Sequence, residues 1–300
     1  MSTEPTNEPT KPLRKRKRLN KKLNVTAIKT TIVFFVGMAT GFGSALTGLA
    51  PQNGLGPALR WMLGFAPEKA QGTALRFVCY VLFAALVGVS IGHGVEAPLL
   101  LGSGLAAFVG ATLGALIALP LARMTALRAS RRLFLTAGMG VMLYLITDTA
   151  RLSLYHVHDV SPVNLLAVAG IGLLAGALTQ AGALPGGLLM IAGLYYVGHY
   201  SAVQAIATSM LVIVLASLLP SWGYAQRGLV DTDYSGSMVT GGILGGIAGG
   251  IILAYTVHGP KPVLMLFGVV AMFLCARELY LLTLATPEEP PPPAPEIDSN

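Results

Sequence analysis

Residues 97–122, APLLLGSGLAAFVGATLGALIALPLA, contain no ionisable side chain. At 1.5 Å per residue a helix of this length exceeds the roughly 30 Å of a bilayer's hydrocarbon core, which about 20 apolar residues already cross. The run does not alternate apolar and polar positions, as β-barrel strands of about 10 residues would. Comparable runs lie on both sides of it, so the whole chain reads as a polytopic α-helical membrane protein.

Composition points the same way. Hydrophobic residues make up 54% of the 300 and charged residues 11%, about half the charge usual in soluble domains. Residues 1–22 hold eight Lys/Arg and two Glu, and residues 287–300 hold three Glu and one Asp. The 264 residues between carry twelve basic and seven acidic side chains, too few to cover a water-soluble globule. A soluble enzyme is excluded on that ground. The basic cluster Arg14-Lys15-Arg16-Lys17-Arg18 with Lys21 and Lys22 stands beside a span. There it fixes orientation or touches anionic lipid, and it gives no reason to expect nucleic acid. The first apolar run continues as a full span from about Ile28, unlike a cleaved signal.

Ten apolar segments follow: roughly 28–50, 53–66, 71–92, 98–121, 133–150, 163–184, 186–198, 203–225, 236–256 and 262–284. Two of them, 53–66 and 186–198, are too short to cross alone. Both come after a Pro/Gly-containing break and read as returning legs of helical hairpins. The sequence also repeats. Ala45-Leu46-Thr47 recurs as Ala177-Leu178-Thr179, Gly54 matches Gly186, and Ala70-Gln71-Gly72-Thr73 aligns with Ala205-Ile206-Ala207-Thr208. Four regions result: a disordered basic tail (1–27), a first transmembrane repeat (28–150), a second (163–284), and a Pro-rich acidic tail (285–300).

Charge selects the topology. With both short legs outside the membrane and a cytoplasmic N-terminus, the loops put Arg60, Lys69, Arg123, Arg128, Arg131, Arg132 and Lys261 outside and only Arg151 and Arg227 inside. That reverses the positive-inside rule. If each short leg instead returns to its side of entry, Arg60, Lys69, Arg123, Arg128, Arg131, Arg132 and Arg227 fall inside, with Arg151 and Lys261 outside. Each half then has one re-entrant hairpin and three crossings, so the second repeat is inverted. Both termini lie in the cytoplasm.

Inverted repeats with broken helices carry their sites at the repeat interface, because unpaired backbone in hydrocarbon is tolerated only where it lines a cavity or is buried in protein. The first break is Pro51-Gln52-Asn53-Gly54-Leu55-Gly56, with Thr47 one turn upstream; the second is Ala183-Leu184-Pro185-Gly186-Gly187, with Thr179 and Gln180 upstream. In one reading these amides and hydroxyls hydrogen-bond a ligand while the glycines admit it to the backbone. In the other they satisfy a helix-breaking turn. Freed N–H groups at half-helix ends suit an anion. Arg76 reads equally as a bidentate anion clamp or as a side chain reaching the interface. Cys79 and Cys275 read as small buried hydrophobes. His156 and His158 lack metal-ligand spacing, Asp148 pairs with Arg151, and Arg277 pairs with Glu278 at an interface. Gly241 to Gly250 reads as a close helix-packing seam. No catalytic arrangement, cofactor motif or resident metal site is present.

The Gly-rich first helix, the Pro/Gly break and the Ala-x-x-Thr helix start, carried by Gly37 through Ala74 and Gly170 through Met210, resemble the sulfite exporter TauE/SafE family of membrane transporters. The resemblance extends over about residues 28–284. It implies a carrier in the cytoplasmic (inner) membrane, multi-pass, for a small sulfur-containing anion such as sulfite, sulfoacetate or another organosulfonate. The two inverted repeats would give access to each side in turn, with a proton or sodium as the candidate coupling ion. The first break departs from the glycine cluster common in the family, reading Gln52-Asn53-Gly54-Leu55-Gly56. The expected site is Thr47, Gln52, Asn53, Gly54, Arg76, Thr179, Gln180, Pro185, Gly186 and Gly187. Two rival readings are a carrier of another small anion, such as a carboxylate, and a non-transporting membrane scaffold or assembly protein.

Overall fold

A computed structural model describes residues 11–121, 135–144, 161–180, 186–256 and 261–284. Among the described residues there are ten helices and no strand. They are α1 (Lys11–Thr47), α2 (Gln52–Leu63), α3 (Pro67–Ile91), α4 (Ala97–Leu121), α5 (Leu135–Tyr144), α6 (Pro162–Gln180), α7 (Gly186–Tyr196), α8 (Ala202–Gln226), α9 (Ser235–Tyr255) and α10 (Lys261–Leu284). Six are long and apolar enough to cross a membrane: α1 from Ala27, α3, α4, α6, α8 and α9. α2 and α7 are the short legs.

α1 begins at Lys11, inside the basic segment that precedes the first apolar run. Lys, Arg and Leu are good helix formers, and extending a span already nucleated in lipid costs far less than starting a helix in water.

α3 and α8 form the centre. Two-thirds of each apolar window is buried, 67%, against 22% for α6. Long apolar side chains on the outer helices, among them Leu101, Leu105 and Val109 of α4 and Leu166 and Leu174 of α6, stay exposed, as a surface facing lipid requires.

Lipid supplies no hydrophobic force between helices, so close backbone packing must hold them. Glycine provides it in two seams. In the first, a Cβ on Gly37 or Gly41 of α1 would overlap the carbonyl of Met238 or Gly242 of α9, and Gly241 and Gly245 meet Phe34 and Met38 in return. In the second, Gly172 and Gly176 of α6 meet the carbonyls of Ala107 and Ala111 of α4, while Gly110 and Gly114 meet those of Ala169 and Leu173. Each seam therefore joins the first helix of one half to the fourth helix of the other.

Contact order gives the directions. Gly242, Gly246 and Gly250 of α9 face Phe77, Val81 and Ala85 of α3 in turn, so α1, α3 and α9 run alike. Gly72 near the start of α3 abuts Tyr224 near the end of α8, and Gly94 beyond the end of α3 abuts Val203 at the start of α8. α3 and α8 run oppositely. α2 leads back to the end where α1 begins. Leu55 and Leu59 pack with Ala70 and Phe77, and Lys69 Nζ lies 4.8 Å from the Phe65 ring centroid.

Candidate functional site at two helix breaks

α1 stops at Thr47 because Gly48 takes φ +65°, a left-handed conformation that closes a helix C-terminus cheaply only for glycine. Its N–H donates to Ser44 O at 2.8 Å. Pro51 follows, and α2 resumes at Gln52. The second break lies between α6, ending at Gln180, and α7, beginning at Gly186.

The two breaks meet at one residue of α8. Ser209, 1% exposed, directs its hydroxyl to Gly48 O at 3.4 Å. A Cβ on Gly187 would lie 3.6 Å from Ser209 Oγ and 3.6 Å from Leu49 Cδ2. A Cβ on Gly48 would meet Ile206 of α8 and Ile191 of α7. Ser209 stands seven residues into a 25-residue helix, about 10 Å from its start. The convergence is thus inside the span. Beside it, Thr208 and Ser103 of α4 share a buried hydroxyl contact of 3.1 Å.

The expected site residues divide. Thr47 is buried, and its hydroxyl donates to Gly43 O of its own helix at 2.8 Å. Thr179 donates likewise to Ala175 O at 2.6 Å, on an exposed position. Both hydroxyl protons are therefore engaged, leaving only acceptor lone pairs. Gln52 keeps a buried Oε1 with no hydrogen-bond partner. Gly187 is at the convergence. The side chains of Asn53, Gly54, Gln180 and Gly186 and the whole of Pro185 lie outside the described residues.

Arg76 lies on an outward face of α3. It shares one face of α3 with exposed Tyr80, Phe83 and Val87, opposite the buried Val78, Leu82 and Ala85. Its guanidinium carbon lies 6.0 Å from the Tyr80 ring centroid. This is the arrangement of a side chain that follows an outer helix surface, its charge resting on an aromatic face.

Charge is concentrated at the end where α1 and α3 begin. Lys69 Nζ lies 2.8 Å from Asp231 Oδ1, Asp231 Oδ2 accepts from Tyr234 N–H at 2.7 Å, and Asp231 N–H donates to Thr73 Oγ1 at 3.0 Å. Burial opposes ionisation of Asp231, but the Lys69 ammonium and the N–H groups of Tyr234 and Ser235 outweigh it and hold the carboxyl below its ordinary value. This knot ties the start of α3 to the α8–α9 connection. A surface hollow lined by Pro57, Arg60, Trp61, Gly64 and Phe65 lies at the far end of α2 from the break. Trp61, 87% exposed, suits a membrane–water interface there. Arg277 and Glu278 pair at 3.1 Å.

Among the described residues no group of His, Cys, Asp or Glu is arranged to hold a metal ion. Ser209 and Gly48 were not among the expected site residues. The signal was available: Ser209 closes the Ala205-Ile206-Ala207-Thr208-Ser209 element, and Gly48 follows Thr47 directly.

Residues 168–296, which take in α7 to α10 and most of α6, match the family model described as Sulfite exporter TauE/SafE. That family is one of transporters, not enzymes. Neither the curated proteins nor the solved structures yield a match to the chain.

Proposed function

With the sulfite-exporter match over α7 to α10 as premise, we propose that this multi-pass membrane protein is a secondary transporter for a small sulfur-containing oxyanion, of the sulfite or organosulfonate class. The anion binds where the breaks converge and is exposed to each side in turn. One observation carries the reading: Gly48 and Gly187, one from each break, approach the same buried hydroxyl, Ser209. A half-helix N-terminus such as that of α7 presents free N–H groups and partial positive charge inside the membrane. Three sulfonate oxygens accept from such donors.

The opposite running of α3 and α8 supports an inverted relation between residues 28–150 and 163–284, each with one re-entrant hairpin. The gathering of Arg60, Lys69 and Arg227 towards one end, at the close of α2, the start of α3 and the close of α8, supports placing that end in the cytoplasm. With it go both termini, in an inner cell membrane. Gln52, Asn53, Gly54, Gln180, Pro185 and Gly186 complete the lining, and the basic N-terminal segment meets anionic lipid.

The test is uptake of radiolabelled sulfite and sulfoacetate into proteoliposomes. Gly187→Val, which fills the space against Ser209 and Leu49, is expected to stop uptake while leaving monodisperse protein. If the purified protein moves no small sulfur anion, or Gly187→Val transports at the wild-type rate, the assignment falls and a scaffold role gains ground.

A further inference from the structure

Among the described residues, those that line the convergence carry no counter-charge for an anion. The residues around Gly48 and Gly187, namely Ser209, Leu49, Ile191, Ile206 and Ile213, are all uncharged, and Arg76 lies against Tyr80. Burying an unpaired charge among such side chains is very costly. The missing charge has a place to sit. The first break is rich in acceptors: the carbonyl of Gly48 at the negative end of α1, which accepts the long contact from Ser209, the unpartnered buried Gln52 Oε1, and Ser209 Oγ. Thr47 has spent its proton on Gly43.

The Ser209 contact is itself informative. Buried Thr73, Ser103 and Ser217 each donate to a carbonyl one turn back on their own helix, at 2.6–2.7 Å. Ser209 instead reaches another element, and its 3.4 Å separation from Gly48 O is long for O–H···O. Two oxygens each about 2.4 Å from a common hard cation, at right angles, stand about 3.4 Å apart. Carbonyl, amide and hydroxyl oxygens with no carboxylate suit a monovalent ion over a divalent one. Half-helix C-terminal ends and unwound carbonyls hold sodium ions in broken-helix carriers generally.

We propose that the first break binds Na+ through Gly48 O, Ser209 Oγ and Gln52 Oε1, next to the anion at the α7 N-terminus, so that the two ions neutralise each other and cross together. This rests on the transporter reading for its consequence, coupling, but not for the binding itself. The anion is held by the donor end of α7, the cation by the acceptor end of α1, and Ser209 touches both.

Purified full-length protein in detergent is titrated with NaCl against choline chloride at constant ionic strength, without anion substrate, and melting is followed. Na+ is expected to raise the wild-type melting temperature saturably, while choline does not; equal responses would overturn the proposal. Gln52→Leu separates binding from structure. Removing an unpartnered acceptor leaves stability without Na+ unchanged or higher, whereas a ligand's loss weakens the Na+ response about tenfold or more in midpoint. A Na+ midpoint unchanged in both Gln52→Leu and Ser209→Ala refutes the assignment. Should Ser209→Ala not fold, Gln52→Leu and 22Na+ binding to wild type decide. In proteoliposomes, sulfite uptake indifferent to a Na+ gradient sinks co-transport while leaving the transporter standing. A saturable Na+ shift with no uptake of any anion leaves the cation site and sinks the transporter.

Discussion

Removing Lys69 should harm the protein more than neutralising its partner, although the two form one ion pair. The asymmetry comes from exposure: the Lys69 side chain is 39% exposed and that of Asp231 3%. In Asp231→Asn the ammonium rehydrates, and the amide oxygen still accepts from Tyr234 N–H. The loss is that of a half-wet ion pair, about 0.5–1 kcal/mol. In Lys69→Met the carboxylate stays buried without its cation, which costs about 2–3 kcal/mol even with the Tyr234 bond kept, below the roughly 3–5 of a fully buried pair. Asp231→Ala also orphans the Tyr234 N–H and should cost about 2–4 kcal/mol. The double variant Lys69→Met/Asp231→Asn should be more stable than Lys69→Met alone, a strong coupling. Chemical unfolding in detergent at pH 7 measures all four. Acid adds a second reading. The Asp231 carboxyl titrates below its ordinary 3.8 when folded. Its stabilisation is therefore complete above that value and is lost as pH falls through the lower, folded value. Wild type should lose stability below about pH 4, where Asp231→Asn does not. Lys69→Met milder than Asp231→Asn, with an additive double variant, would refute the account.

The seams make a sharper steric forecast. Gly41→Ala and Gly176→Ala force a methyl into a facing carbonyl and should cut the yield of folded protein, whereas Gly43→Ala and Gly170→Ala, which meet nothing within 4 Å, should express normally. Size-exclusion yield in detergent distinguishes them. Gly48→Ala, strained by its positive φ and crowded by Ile206 and Ile191, should lose about 1–3 kcal/mol, seen as a lower melting temperature. Arg76→Lys should leave sulfite KM within about twofold, since it lies over Tyr80; a loss of tenfold or more would return it to the site. With Cys79 and Cys275 replaced, Thr125→Cys should resist an impermeant thiol reagent applied to whole cells, and His158→Cys should react. Labelling of Thr125→Cys alone would overturn the charge-based topology.

Helix positions were legible because lipid enforces them. An apolar run long enough to span must be helical, and the expected 203–225 and 236–256 became Ala202–Gln226 and Ser235–Tyr255. The short legs announced themselves by length, and the glycine run of α9 by spacing. The site was half legible. Proline and glycine mark where a helix is interrupted, so the gap between α6 and α7 could be read. Direction of donors was not: which hydroxyl spends its proton on its own helix, as Thr47 and Thr179 do, depends on rotamers that spacing does not encode. Arg76 was ambiguous for the same reason. Its face on α3 becomes plain only when α8 and α9 cover the other side.

The crossed seams also set a timetable. Gly41 waits for Gly242, about 200 residues downstream, which at roughly 5–20 residues per second of synthesis is about 10–40 s. During that interval α1 sits in the bilayer with its small-residue face bare, and neither half can close on itself, because α4 waits for α6 just as α1 waits for α9. Assembly is therefore committed only once α9 has been made. A chain truncated before α9 would be a degradation substrate rather than a half-carrier, while two halves made as separate polypeptides in one membrane should still find each other.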